Sequence, residues 1–185
     1  MREMYNLYQL ATEALDNLNA IGIYPHLTAS DFKVNTRATE RFGQAQKYKG
    51  VYSVNISAFL LDKRNDEKSV MTTIYHECLH CCDDCMCHTG KWKELAELVS
   101  DCYDVDITRC SSFSEKLNES VLKEHKAKVR QRRENNRYRY ICYCEDCGSR
   151  SERIMYRAPK WYTQTYKYHC RNCHSTCLSA WKEEM

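Results

Sequence analysis

Nowhere in its 185 residues does the chain carry the roughly 18 consecutive apolar residues that a membrane-spanning helix needs. Its first ten residues, MREMYNLYQL, lack the uninterrupted apolar core of a signal peptide. A strong excess of either charge is missing as well: 28 Lys and Arg against 25 Asp and Glu leave +3, too little to define a partner. These absences lead us to expect a cytoplasmic protein with no membrane association. The length suits one ordinary domain with a small appendage.

Cysteine, by contrast, is abundant. There are thirteen, an odd number, and several stand in pairs two residues apart. Without an export signal, metal thiolates account for them better than disulfides. The clearest pairs are Cys144-Glu-Asp-Cys147-Gly148 and Cys170-Arg-Asn-Cys173, with 22 residues between Cys147 and Cys170. Each pair makes a knuckle presenting two thiolates, and two knuckles close a tetrahedral zinc site. A segment so poor in aliphatic residues needs such a staple to fold. Trp161, Tyr162, Tyr166 and Tyr168 lie between the knuckles and are expected on strands, while Cys142, His169, His174 and Cys177 are read as bystanders.

Hydrophobic periodicity organises the rest. Met4 to Ile21 carries Leu7, Leu10, Ala11, Ala14, Leu15, Leu18 and Ile21 at helical spacing, with Gly22 as a stop. Between Phe32 and Ser57, FKVNTR, FGQAQKY and VYSVNIS read as strands of a small antiparallel sheet, with a turn at Lys49-Gly50. The edge of such a sheet can hold an extended peptide by main-chain pairing. Asn65 and Asp66 cap a helix expected to run to about Cys82, with Val70, Ile74, Cys78 and Cys81 on its buried line. Lys91 to Asp101 forms another, directing Trp92, Leu95, Ala96 and Val99 inward, and Val105 to Ser114 reads as irregular. Between Val121 and Arg139 lie eight Lys or Arg and two Glu, a local balance of +6 against −3 elsewhere. Such a run is either a solvated helix face or a phosphate-binding surface made of Lys126, Lys128, Arg130, Arg132, Arg133, Arg137 and Arg139.

The chemistry concentrates in Thr73 to Trp92, TIYHECLHCCDDCMCHTGKW. Residues four apart share a helix face, so His76 and His80 can offer imidazoles to one ion while Glu77 projects beside them. Hydrolytic zinc takes about three protein ligands and keeps a water that a neighbouring carboxylate can deprotonate. The bland reading is an amphipathic helix with two histidines. For a third ligand His88 competes with Asp83, Asp84, Glu94 and Glu97, and spacing favours His88 modestly. Tyr75, Tyr103 and Arg41 are candidates for stabilising an oxyanion.

HECLH followed by CCDDCMCHTGKWKELA resembles the SprT-like family, related to the Spartan proteases, in which His-Glu-x-x-His is followed by a loop and then His with a nearby Gly and aromatic residue. NTRATERFGQAQK and VYSVNIS resemble the preceding sheet of short bacterial or phage members, and YRYICYCEDCG and YHCRNC the closing zinc ribbon. The resemblance implies an α+β fold: a minimal zincin-like metalloprotease domain over residues 1–115, a basic connector over 116–139 and a small β zinc ribbon over 140–185. It implies His76, His80 and His88 as ligands of a catalytic zinc and Glu77 as general base. Cys144, Cys147, Cys170 and Cys173 would hold a structural zinc. It also implies a zinc metalloendopeptidase acting on proteins associated with or crosslinked to DNA, bound without regard to sequence. Cys81, Cys82, Cys85 and Cys87 depart from the pattern, since similar sequences carry fewer thiols there. Two other readings compete: a non-catalytic zinc-binding adaptor for nucleic acid or transcription, and a hydrolase for one cellular protein with the ribbon as docking surface.

Overall fold

The computed structural model describes residues 3–109 and 113–185, and the chain divides into two compact units, Met1–Lys126 and Ala127–Met185. In the first, α1 (Leu7–Ala20) begins where the Asn6 side chain accepts from the Gln9 N–H at 3.3 Å. It buries Leu7, Leu10, Ala11, Ala14 and Leu18 along one face. Gly22, at φ +80°, then turns the chain so that the Ile23 N–H returns to the Leu18 carbonyl at 2.9 Å.

Three strands form the first sheet, β1 (Phe32–Asn35), β2 (Gly43–Tyr48) and β3 (Val51–Ser57), in the order β1-β3-β2. β3 is central and buries Tyr52, Val54 and Ile56, the alternating set, towards the core. β2 and β3 form a hairpin through Lys49 and Gly50, both at positive φ as a tight two-residue turn requires. The sheet is nevertheless not wholly antiparallel. Residues 36–42 reverse the chain and β2 takes the far edge, so β1 pairs across β3 and runs parallel to it, Phe32 opposite Val54.

Against this sheet packs α2 (Glu67–Leu79), capped by Asp66, whose carboxylate accepts from the Ser69 N–H at 3.0 Å. Asn65 does not cap it. Buried, it donates to the Phe59 and Leu60 carbonyls and accepts from the Asn118 N–H, tying three segments together. α2 ends earlier than Cys82, because the Cys81 and Cys82 N–H groups fold back three residues to Cys78 and Leu79 in a tightened last turn. Val70, Ile74, Cys78 and Cys81 are fully buried, as the periodicity requires. α3 (Lys91–Tyr103) follows and buries Trp92, Ala96 and Val99, with Leu95 partly covered. Of the stretch expected to be irregular, Val105 to Arg109 has no regular structure and residues 110–112 lie outside the described residues. Against that expectation its last two residues open α4 (Phe113–Lys116), and α5 (Glu119–Asn135), which buries Val121 and His125, follows.

The second unit is built on β4 (Tyr138–Cys144), β5 (Arg150–Met155) and β6 (Leu178–Glu184), an antiparallel sheet in the order β5-β4-β6. Its interior strand is β4, with Tyr140 and Ile141 buried. The aromatic stretch expected on strands folds otherwise. Pro159 starts a single helical turn, α6 (Lys160–Thr163), and Thr165–Lys167 makes a 3-10 turn. Tyr162 is thereby set edge-on to Tyr140, ring centres 5.0 Å apart. The molecule is thus mixed α+β, with two small sheets and a cysteine cluster compatible with a zinc ribbon. Among the described residues no helix is long and apolar enough to cross a membrane.

Candidate metal centre

His76 lies in the last turn of α2, His80 at its C-terminal cap and His88 in the loop before α3. Their Nε2 atoms meet in a triangle: 3.3 Å from His76 to His80, 3.0 Å from His80 to His88 and 3.0 Å from His88 to His76. Tetrahedral zinc with Zn–N bonds of about 2.05 Å separates its nitrogens by about 3.3 Å, close to these distances. The protonation states point the same way. His80 Nδ1 donates to the Cys85 carbonyl at 2.8 Å, so its Nε2 is left as a lone pair when the ring is neutral. His76 is hydrogen-bonded to the backbone of Thr108. Burial, followed by the neighbouring His80 and His88, lowers the His76 pKa to about 3, which keeps the ring neutral. Burial lowers His80 and His88 too. Three neutral imidazoles aimed at one point repel one another unless a cation lies between them, so the residues fit a metal ion.

Trp92, from the first turn of α3, packs against all three rings, with centroids 5.0 Å from His76, 5.4 Å from His80 and 4.6 Å from His88. Its plane lies 22° from that of His80. The indole thus restricts the rotation of all three imidazoles, a role that its inward position in the sequence did not signal.

Glu77 is 7% exposed. Its Oε2 accepts from the Ala45 N–H at 2.7 Å, which brings the carboxylate against the outer edge of β2. This approach requires Gly43: a Cβ there would lie 2.6 Å from Glu77 Cγ and 2.7 Å from its carboxyl carbon. Burial raises the Glu77 pKa to about 7, against the opposing influence of the Ala45 hydrogen bond and of Lys116 and Arg41. His76 and Glu77 open together onto a cleft of about 250 Å³ that is also lined by Glu40, Arg41, Gly43, Thr73, Arg109 and Lys116.

The competing ligands lie elsewhere. Asp83 binds His26 at 2.8 Å, Glu97 stands 3.9 Å from Lys93, and neither Asp84 nor Glu94 joins the histidine group. Of the proposed oxyanion partners, Arg41 lines the cleft, but Tyr75 and Tyr103 do not. They stack on one another at 5.6 Å and bind Asn17 of α1, which makes them packing residues. The loop thiols also pack. Cys78, Cys81, Cys82 and Cys85 are buried, and the last three point at nearby backbone carbonyls. Burial raises the pKa of Cys81 and Cys82 to about 12, so they are neutral thiols rather than thiolates. Cys87 is exposed.

In the second unit the sulfurs of Cys144, Cys147, Cys170 and Cys173 all lie within 4.8 Å of one another. Cys144 is 3.5 Å from Cys173, and Cys147 is 3.6 Å from Cys170. For Zn–S bonds of about 2.3 Å the tetrahedral spacing is about 3.8 Å, so this group also fits zinc. Ser149 supports it from outside, its hydroxyl 3.2 Å from Cys147 and 3.1 Å from Cys170. That hydrogen bond, with the N–H groups of Cys173 and Asn172, lowers the Cys170 pKa to about 6. Beside the cluster, a cavity of about 280 Å³ is lined by Arg150, Arg153 and Arg171 together with Trp161, Tyr168 and His169.

The basic run is less uniform than its sequence. Lys126, Lys128, Arg130, Arg132, Arg133 and Arg137 are exposed. Arg130 pairs with Glu134 at 3.0 Å, and Arg133 lies over the Tyr156 ring at 5.1 Å. Arg139 belongs to β4, half-buried and 3.9 Å from Glu183. No protein-family model and no curated protein matches the sequence.

Proposed function

We propose that the chain is a zinc metalloendopeptidase of the SprT-like kind, with a zincin-like first unit, acting on proteins associated with or crosslinked to DNA. The observation that carries this reading is the contrast between the two ligand groups. The cysteine group offers four ligand atoms, as a structural zinc site does, whereas the histidine group offers three beside a buried carboxylate on a cleft. An adaptor with two structural metals has no use for an open position next to Glu77.

His76, His80 and His88 would hold the zinc ion, which would supply Lewis acidity towards water and a peptide carbonyl. Glu77 is the general base. Its buried carboxylate, held by the Ala45 N–H beside the histidine group, is placed to accept a proton and later return it to the leaving amine. The Ala45 N–H fixes Oε2 and leaves Oε1 for the transfer. β2 is an edge strand, so its outer main-chain groups other than the Ala45 N–H can pair with an extended substrate crossing the cleft. Support for the DNA component comes from the exposed cations of α5 and from the arginine-lined, aromatic cavity of the second unit, a combination suited to phosphates and unpaired bases.

The test compares wild type with Glu77→Gln on a DNA-bound protein substrate, with zinc measured in both. Cleavage by wild type alone, at two zinc ions per chain in each, is the expected result. Equal cleavage by the variant removes Glu77 as base, and no cleavage by either favours the adaptor. A labelled single strand is expected to bind at low salt and dissociate as salt rises. Its failure to bind at low salt removes the DNA component.

A further inference from the structure

We propose that Lys116 makes the cleft selective for peptides carrying a carboxylate next to the bond to be cut; this rests on the peptidase reading above. Lys116 closes α4, and its Nζ donates to Thr73 Oγ1 at 2.9 Å. Thr73 is on α2, one turn before Glu77 and three residues before His76, so it shares their face. The ammonium is therefore anchored beside the base and the first ligand, in the same cleft.

Lys116 is half-buried and its hydrogen bond is to a neutral hydroxyl. Glu77, Asp106 and Glu115 act on it through space. An ammonium has three N–H donors, and one is used by Thr73. Arg41 and Arg109 line the same cleft, giving three cations against the carboxylates of Glu40 and Glu77. When a peptide fills the cleft and displaces water, a neutral side chain leaves the remaining donors of Lys116 unmatched. A carboxylate satisfies them with charge-assisted bonds. The carboxylate can be an Asp or Glu side chain or the end of the chain, since the chemistry presented is the same.

The experiment uses the full zinc-loaded protein and quenched fluorogenic peptides in matched pairs, Glu against Gln beside the scissile bond, each with a free or an amidated C-terminus. We expect kcat/KM about ten-fold higher for the Glu peptides, as one charge-assisted contact provides. The preference should be lost in Lys116→Met and kept in Lys116→Arg, with two zinc ions bound throughout. Lys116→Gln serves if the Met variant does not fold. A preference that follows the free C-terminus instead assigns the carboxylate to the chain end and still supports the proposal. Equal rates for all peptides in wild type, or a preference that survives removal of the ammonium, overturns it. If no peptide is cleaved the peptidase reading fails, and fluorescence anisotropy with the same peptides decides this proposal separately. Tighter binding of the carboxylate peptide that weakens in Lys116→Met supports it, and equal binding refutes it.

Discussion

At the scale of single residues, Glu77 and the sheet edge constrain each other. Gly43 is glycine because the Glu77 carboxylate occupies the space that its Cβ would fill. Gly43→Ala should push Glu77 off the Ala45 N–H without touching His76, His80 or His88. We expect at least about a hundred-fold lower kcat/KM with zinc content unchanged, the scale of a displaced general base. Retained activity would show that Glu77 works from another position. His76, Glu77, His80 and His88 were legible because helical periodicity puts the first three on one side and a short loop returns the fourth. Gly43, Thr108 and Lys116 were not legible. Each reaches the site through a tertiary contact, and no local pattern near residue 43 or 116 refers to α2. The periodicity of α3 puts Trp92 on its inward face, yet the contact with three imidazoles is set by how α3 meets the end of α2.

At the scale of elements, the two knuckles repeat one geometry. In each, the residue after the second cysteine returns its N–H to the carbonyl of the first, Gly148 to Cys144 at 2.9 Å and His174 to Cys170 at 3.0 Å. Both positions are left-handed, φ +71° and +60°, though only one is glycine. Gly148→Ala should destabilise the second unit by about 1 kcal/mol, whereas His174→Gly should leave its stability unchanged or raise it. Thermal unfolding of the zinc-loaded variants measures both. A Gly148→Ala variant as stable as wild type would place the strain elsewhere. The aromatic stretch between the knuckles misled the sequence reading because Trp and Tyr favour strands in general, while Pro159 here starts a helical turn. The mixed sheet was missed for a different reason: hydrophobic alternation locates a strand but says nothing about which neighbour it takes or in which direction.

At the scale of the molecule, the two units should depend on metal differently. The first has a continuous core from α1, β3, α2 and α3. In the second, among the described residues, the buried apolar side chains are Tyr140 and Ile141 together with Cys144 and Cys170 of the cysteine group. Chelation should therefore unfold the second unit while the first keeps its helices and loses only activity. Amide NMR during titration with a chelator would resolve this, and simultaneous collapse of both sets of signals would contradict it. The burial of Cys78, Cys81, Cys82 and Cys85 has a practical consequence for the same experiment. These thiols surround the turn that carries His80, and burial keeps them protonated and out of reach. An alkylating reagent can mark Cys87, Cys102 and Cys177 at once but these four only when that turn opens. The chain thus contains its own clock, in which the order of thiol labelling, read by mass, times the opening of the turn that carries His80.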